Sequence, residues 1–151
     1  MKLQFGSARP GLDYLHRPAA FGLVAKDGKL ACVRVDRGEG SYFDLPGGAV
    51  DGEESEQQAL VREFAEETGL IVEPEDRLTE AAQYFRKTDG SPVNNAGGFW
   101  TVRITGFDAS TQCEPDHELV WLDPLDAVSR LRHEAHAWAV VKWLRSQIQG
   151  T

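Results

Sequence analysis

The chain has 151 residues, of which 41% are hydrophobic and 26% are charged, a composition typical of a globular protein with one core. Its formal net charge of −8 argues against a nucleic-acid backbone or an anionic membrane surface as the main partner. Phosphate groups would therefore have to be bound with the help of cations. We expect a single domain over residues 1–151.

Two further features of the composition bear on the compartment. No apolar run approaches the length needed to span a bilayer, and the opening residues lack the apolar stretch of a secretory signal. The two cysteines, Cys32 and Cys113, have no metal-type spacing and are too few for a disulfide framework. A cytoplasmic protein with reduced thiols is the expected result.

The first half of the chain predicts strands followed by one helix. Strands are predicted at 19–25 and 26–35 because Asp27-Gly28 is a strong hairpin signal. The segment 41–50 reads as a short strand interrupted by Pro46, Gly47 and Gly48, which favours a loop with close backbone approach.

The helix is predicted over residues 55–68, where the sequence supplies both caps. Ser55 fits the N-cap position, and Gln58 stands three residues later as in a capping box. Gly69 fits the residue at which the helix stops.

The second half of the chain alternates strands and helices. We predict strands at 79–87 and 98–106 around a turn-rich segment at 88–97, then a strand at 119–122 and helices at 124–131 and 134–148. Mixed strands and helices with one dominant internal helix indicate an α/β or α+β sandwich.

The internal helix concentrates carboxylates on one arc. At 100° per residue, the apolar side chains occupy one side and the glutamates the other. The apolar set is Leu60, Val61, Phe64 and Ala65, and the glutamates, here called the acidic stripe, are Glu56, Glu63, Glu66 and Glu67. Most charge runs of this kind are solvated helix faces, and that interpretation remains open on the helix composition alone.

The glycine pair before the helix favours a metal site instead. Gly47 and Gly48 have no Cβ, so the backbone can approach an ion or ligand closely there. Carboxylates that would repel one another become favourable when a divalent cation lies among them, and Mg²⁺ prefers oxygen ligands. The acidic stripe then makes sense as a magnesium site.

These residues carry a family resemblance. The pattern of glycine, five residues, glutamate, seven residues, Arg-Glu, an apolar residue, any residue, Glu-Glu, any residue, glycine and an apolar residue is the Nudix box. The chain matches it over residues 48–70 at every fixed position: Gly48, Glu54, Arg62, Glu63, Phe64, Glu66, Glu67, Gly69 and Leu70. The chain is thus identified as resembling the Nudix hydrolases, in particular MutT-type bacterial members.

The resemblance implies a fold, a reaction and a set of roles. It implies an α/β/α sandwich with a mixed β-sheet, in which the box forms a loop-helix-loop, and hydrolysis of a nucleoside diphosphate linked to another group. Mg²⁺, for which Mn²⁺ can substitute, would be held by Glu63, Glu66, Glu67 and the Gly47 carbonyl. Arg62 would orient the glutamates with support from Glu54, and Glu63 is the favoured general base.

A downstream carboxylate often completes the metal cluster in this family. The segment CEPDHELVWL offers Glu114, Asp116 and Glu118. We place Glu118 ahead of Glu114 because it directly precedes a predicted strand. A solvated loop would account for at least two of the three.

Substrate-binding residues are harder to identify from the sequence. Arg34 and Arg37 follow the second strand and are candidates for phosphate contacts. Phe43 and Tyr84 are candidates for stacking on a base, although most strand aromatics belong to a core. Asn94 is a candidate for reading a base edge, with a plain turn as the alternative.

His133 and His136 resemble a zinc motif only superficially. Their spacing is one residue shorter than in HExxH, and no third ligand is implied. We expect neither to hold a metal.

The expected function is therefore Mg²⁺-dependent pyrophosphohydrolysis of a small nucleotide substrate. MutT-type action on nucleoside triphosphates, including oxidised ones, is the first hypothesis, and nucleotide sugars or dinucleoside polyphosphates are the alternative substrates. A catalytically silent nucleotide-binding sensor is the alternative from another class. The expected assembly is a monomer or homodimer, without nucleic acid or membrane as partner.

Overall fold

Two β-sheets form the centre of the molecule. A computed structural model describes residues 3–149 and contains strands β1 (Leu3–Phe5), β2 (Leu15–Leu23), β3 (Ala25–Lys26), β4 (Lys29–Asp36), β5 (Ser41–Asp44), β6 (Gly47–Ala49), β7 (Leu70–Arg86), β8 (Pro92–Phe107) and β9 (His117–Leu122). One sheet has the order β1-β7-β8-β2-β6, with parallel pairs β1–β7 and β2–β8. In the other, β4 pairs antiparallel with β3, β5 and β9.

Helices cover the two sides of this centre. They are α1 (Glu56–Thr68), α2 (Pro124–Arg130) and α3 (Glu134–Gln149). On one side, α1 buries Leu60 and Phe64 against Ala20 of β2. On the other side, α2 and α3 bury Ala127 and Ala139 in a cluster with the opposite face of β2. The predicted α/β/α sandwich with a mixed sheet is confirmed.

The caps of α1 are those that the sequence predicts. Ser55 Oγ accepts a hydrogen bond from the Gln58 N–H at 3.1 Å, and Gln58 Oε1 accepts one from the Ser55 N–H at 2.9 Å. Gly69 ends the helix at φ 77°, a conformation that favours glycine. The box helix is therefore fixed at both ends by its own sequence.

The predicted faces of α1 need a correction. Val61, expected in the core, is exposed, whereas Ala59 and Glu67 are buried together with Leu60 and Phe64. Strands β2, β6, β7 and β9 all contact α1, and Glu63 and Glu66 on its glutamate side are half-buried. The solvated-face interpretation is wrong for Glu67, which is 6% exposed.

The predicted hairpin forms, but it joins fewer residues than expected. Asp27 and Gly28 have φ of 52° and 77°, which suits the tight turn between β3 and β4. The preceding strand β2 does not continue that pairing, because it lies in the other sheet between β6 and β8.

The predicted turn at 88–97 is wrong in its second half. The chain reverses at Lys87–Ser91, where the Lys87 N–H donates to the Ser91 carbonyl and Gly90 has φ 89°. Residues 92–97 already belong to β8, which pairs with β7 and β2 at once. Pairing on both edges overrides the low strand preference of Asn94 and Asn95. Strand β1 and the first residues of β2 are also additions to the predicted elements.

Candidate active site

The backbone at the glycine pair lies directly against β2 and α1. A Cβ on Gly47, which has φ 142°, would lie 2.2 Å from the Ala20 carbonyl oxygen. A Cβ on Gly48 would lie 3.0 Å from the Glu63 carboxylate. A Cβ at Gly47 would collide with the β2 backbone and one at Gly48 would press on the Glu63 carboxylate, so both positions approach their neighbours closely.

Arg62 holds the carboxylates of the box together. Its Nε and Nη2 donate to the two oxygens of Glu54 at 2.7 and 2.9 Å, and its Nη1 donates to Glu63 at 2.7 Å and Glu66 at 3.2 Å. Nη2 also reaches the Ala49 carbonyl at 3.1 Å. Hydrogen bonding to Arg62 lowers the pKa of Glu54 to about 2, so Glu54 is an ionised support for the arginine.

Glu67 is the most buried carboxylate of the site. Its Oε1 accepts a hydrogen bond from the Gly47 N–H at 3.0 Å, and its Oε2 lies 3.4 Å from His117 Nε2. Burial raises the pKa of Glu67, and burial also raises that of Glu63. Burial therefore disfavours the charged forms of both glutamates, and a cation beside them would favour those forms.

His117 also belongs to the site, although no sequence pattern indicates it. Burial lowers its pKa, but the hydrogen bonds to Glu67 and to Asp116 outweigh burial and raise the pKa overall. Its Nδ1 lies 2.8 Å from Asp116 Oδ1. A protonated His117 therefore offsets part of the charge of Glu67.

Glu114, rather than Glu118, reaches the box glutamates. In the part of the chain that the structure describes, groups of three ligand atoms within 4.8 Å of one another are formed by Glu66, Cys113 and Glu114, and by Glu114, Asp116 and His117. Glu118 is exposed in β9, directly opposite Arg34 of β4. The order in which we placed the two glutamates is reversed, because β9 begins at His117 and carries Glu118 into the sheet.

The chemistry of the donors suits a hard divalent cation, but among residues 3–149 no three of Glu63, Glu66, Glu67 and Glu114 have ligand atoms within 4.8 Å of one another. Glu63, Glu66, Glu67 and Glu114 offer carboxylate oxygens, which Mg²⁺ prefers. Arg62 is bonded to one oxygen of Glu63 and one of Glu66, and the second oxygen of each accepts no hydrogen bond from a residue within 3–149. These second oxygens are suitable ligand atoms.

Three of these carboxylates, Glu63, Glu67 and Glu114, line a cavity of about 490 Å³, here called the main cavity. Strands β2, β5, β7 and β8 and the start of α3 supply the other walls. The lining residues are Arg17, Phe21, Arg37, Tyr42, Asp44, Gly47, Gly48, Ala49, Glu63, Glu67, Phe85, Lys87, Thr88, Asp89, Asn95, Glu114, His117, Arg132 and His133.

Of the substrate residues expected from the sequence, the main cavity contains only Arg37. Phe43, Tyr84 and Asn94 lie outside it, while their chain neighbours Tyr42, Phe85 and Asn95 line it. Tyr84 packs edge-on against Tyr14. Asn94 exchanges hydrogen bonds with Gln4 at 2.9 and 3.2 Å.

Side chains alternate along a strand, which explains why Phe43, Tyr84 and Asn94 lie outside the main cavity. Successive side chains point to opposite faces, so an error of one residue exchanges the cavity face for the other face. Phe43 packs against the core formed with α2 and α3. Arg34 also lies outside the main cavity, on β4 between β5 and β9. The residues that line the main cavity are therefore Tyr42, Phe85 and Asn95, in place of Phe43, Tyr84 and Asn94.

Three cationic residues of the main cavity were not among those expected from the sequence. Arg17, Lys87 and Arg132 line the main cavity together with Arg37. Arg132 donates to both oxygens of Asp44, at 2.8 and 3.3 Å, and its guanidinium carbon lies 3.7 Å from the centre of the Tyr42 ring. The lining of the main cavity thus combines carboxylates with four cationic side chains, two of which are paired with Asp44 and Asp116.

His133 and His136 lie at the start of α3, away from the glutamates of the box. His136 Nδ1 accepts a hydrogen bond from the Leu45 N–H at 3.2 Å. His133 Nε2 is buried without a hydrogen-bond partner in the described part of the chain. Both are structural neighbours of the aromatic residues Phe21 and Phe85.

These histidines predict a loss of stability in mild acid. Burial lowers the pKa of His133 to about 3 and that of His136 well below its ordinary value. The folded protein then binds fewer protons than the unfolded chain. The two histidines leave the free energy of unfolding unchanged above the ordinary histidine pKa of about 6.5. Below that pH they lower it progressively. At pH 5 each histidine costs up to about 2 kcal/mol.

The measurement is the free energy of unfolding in urea at pH 7 and pH 5. His133→Leu is expected to lose less stability between the two pH values than the wild type does. His16→Gln, at an exposed position of β2, is the control and keeps the wild-type pH dependence. The same loss in His133→Leu as in the wild type would show that His133 is not buried in its neutral form.

α1 and β6 bring Glu63, Glu67 and the glycine pair to the main cavity of an α/β/α sandwich. A family model described as the NUDIX domain matches residues 15–144. The chain belongs to the NUDIX family, and the resemblance drawn from the box is confirmed.

In the described residues, no helix has the length and apolar character that a membrane crossing requires.

Three known proteins show the extent of the similarity. The chain is 29% identical over 139 residues to MutT4 of Mycobacterium tuberculosis, covering 85% of this chain and 54% of that protein. It is 26% identical over 108 residues to the CTP pyrophosphohydrolase of Escherichia coli K12, covering 70% and 75%. The solution structure of the E. coli ORF135 protein superposes with a TM-score of 0.66 at 22% identity, covering 89% and 92%. The chain spans about half the length of MutT4.

Proposed function

We propose that the protein hydrolyses a phosphoanhydride bond in a nucleoside diphosphate linked to another group, with Mg²⁺ or Mn²⁺ as cofactor. The observation that supports it best is the position of Glu67. This carboxylate is 6% exposed, accepts a hydrogen bond from the Gly47 N–H, and lines a cavity whose lining also includes four cationic side chains. Burying such a carboxylate is unfavourable unless a positive group compensates it.

The residues of the site have distinct roles in this proposal. Glu63, Glu66, Glu67 and Glu114 hold the ion, with the Gly47 carbonyl as the further ligand that the family resemblance implies. A bound Mg²⁺ would neutralise phosphate charge and acidify a bound water. Arg62 and Glu54 fix the directions of Glu63 and Glu66. Glu63 accepts the proton of the attacking water, and its raised pKa favours that role.

Our first hypothesis for the substrate is a nucleoside triphosphate, including oxidised forms. The name of the E. coli relative, a CTP pyrophosphohydrolase, supports this substrate class. Nucleotide sugars and dinucleoside polyphosphates are the alternatives. We further propose that the protein works in the cytoplasm on small nucleotides, as a monomer or homodimer, without nucleic acid or membrane as partner.

The alternative function is nucleotide binding without turnover. Against it stands the hydrogen-bonded set around Arg62, which orients Glu54, Glu63 and Glu66. A sensor has no need for an oriented general base.

A nucleotide panel tests the proposal. The protein is incubated with Mg²⁺ and each of the common and oxidised nucleoside triphosphates, nucleotide sugars and dinucleoside polyphosphates. Released pyrophosphate or new phosphomonoester is measured after adding pyrophosphatase or phosphatase. We expect turnover of at least one class. Metal-dependent binding of a nucleotide with no turnover of any of them would establish the sensor instead.

A further inference from the structure

Arg17 is a cation of the main cavity without a counter-charge. It lies in β2, is partly buried, and has no carboxylate within 4.0 Å among residues 3–149. Arg37 and Arg132, which line the same cavity, are paired with Asp116 and Asp44. Arg17 therefore differs from them in being available to an anion.

The amide side chain of Asn95 fixes the direction of the Arg17 guanidinium. Arg17 Nε donates to Asn95 Oδ1 at 2.8 Å, and the two residues are direct neighbours in the parallel pairing of β2 with β8. Gln83 follows in the same row on β7, and its Oε1 accepts from the Ala135 N–H at 2.9 Å. Arg17 is thus held through Nε by Asn95, and Gln83 joins the neighbouring strand to the start of α3.

This anchoring uses only one of the three guanidinium nitrogens. In the part of the chain that is described, Nη1 and Nη2 of Arg17 make no hydrogen bond to the protein. The terminal nitrogens of an arginine form a planar fork that matches two oxygens of a phosphate. Fixing Nε from behind is the arrangement that would present this fork to a ligand.

The electrostatic environment of Arg17 also favours an anionic ligand. Burial lowers the pKa of Arg17, and the charge of Glu63 opposes that effect from across the same cavity. A partly desolvated cation without an ion-pair partner is costly in the free protein. An anionic ligand placed between Arg17 and the box glutamates would relieve that cost.

We propose that Arg17 binds a phosphate group of the substrate through its two terminal nitrogens, and that Asn95 is the positioning residue that holds the arginine in place. The inference rests on the proposed function, since it concerns the diphosphate of that substrate. It adds that this diphosphate is contacted from two sides, by the ion on the glutamate wall and by Arg17 on the β2 wall.

Binding measurements test the role of Arg17 without any need for turnover. Inorganic pyrophosphate and the non-hydrolysable α,β-methylene analogue of ADP are titrated calorimetrically in the presence of Mg²⁺. Arg17→Gln is expected to weaken both by ~10- to 100-fold, the effect of losing hydrogen bonds to a charged group. Arg17→Lys keeps the charge without the fork and should fall between Arg17→Gln and the wild type. Arg103→Gln, at an exposed arginine outside the main cavity, should bind as the wild type does.

Two variants of Asn95 distinguish a positioning role from a merely structural one. Asn95→Ala releases Nε and should weaken pyrophosphate binding by up to ~10-fold, about one hydrogen bond. Asn95→Asp gives Arg17 a carboxylate partner, so it should raise or preserve the thermal midpoint while weakening pyrophosphate binding at least as much as Asn95→Ala. If the Arg17–Asn95 pair only stabilises the strands, Asn95→Asp instead keeps full binding.

The outcomes separate this inference from the proposed function. Wild-type affinity for pyrophosphate in Arg17→Gln overturns the inference, as does a wild-type protein that binds neither probe with Mg²⁺. Weakened binding confined to the ADP analogue also overturns it, because Arg17 would then contact the nucleoside. A protein that hydrolyses no nucleotide but loses pyrophosphate binding in Arg17→Gln would refute the proposed hydrolysis and retain the phosphate contact.

Discussion

Glu63→Gln and Glu67→Gln are each expected to lower kcat by at least ~100-fold, the low end for loss of a positioned general base. Glutamine keeps the shape of the side chain but removes the charge that an ion requires. The thermal midpoint should hardly change. Glutamine at position 67 can still accept a hydrogen bond from the Gly47 N–H, and it removes a buried charge. The measurements are kcat and the thermal midpoint, with and without Mg²⁺.

The control for these variants is Glu53→Gln, an exposed glutamate in the loop before α1. Glu56 shares the acidic stripe and looks equivalent in sequence, but it is unsuitable. Its carboxylate accepts hydrogen bonds from Arg77 at 3.1 Å and from Trp100 Nε1 at 2.8 Å, so its loss would disturb the packing. Normal kcat in Glu67→Gln, or an equal loss in Glu53→Gln, would place the reaction elsewhere in the molecule.

Removal of divalent metal is expected to abolish turnover. An acidic wall repels a polyphosphate unless a cation lies between them. Excess EDTA should reduce activity to background, and added Mg²⁺ or Mn²⁺ should restore it. The same ions should raise the thermal midpoint, because binding at 100 times Kd stabilises the native state by about 2.7 kcal/mol.

Glu67→Gln provides the matched comparison for the metal experiment. It should show a much smaller rise of the thermal midpoint with Mg²⁺ than the wild type does. Full turnover in excess EDTA would contradict a metal-dependent reaction, whatever the effect of the ions on stability.

The parts of this structure that follow from the sequence are those set by neighbouring residues. The α1 helix has its capping box at Ser55 and its left-handed stop at Gly69, and both are local hydrogen-bond and backbone effects. The Asp27-Gly28 turn is local as well. The contacts among Glu54, Arg62 and Glu63 join residues of one loop and helix, and the box pattern already connects them.

The parts that the sequence did not predict depend on pairing between distant strands. Whether Asn94 or Asn95 faces the main cavity is decided by register with Arg17, 78 residues away. A turn-like composition hides that register, and an error of one residue reverses every side chain. His117 has the same difficulty, since only the folding of the loop before β9 brings it to Glu67.

The glycine pair has a consequence for how such a protein can diversify. Gly47 and Gly48 contribute only main-chain atoms to the side of the cavity that carries the carboxylates. The space that a Cβ would need is occupied by Ala20 and Glu63. A side chain at Gly47 would displace β2, and one at Gly48 would displace the Glu63 carboxylate. The opposite wall consists of side chains such as Phe85 and Asn95 on long paired strands, which can be exchanged while the backbone stays in place. Changes in substrate choice, in evolution or by engineering, should therefore accumulate on β7 and β8 and leave the glycine loop untouched.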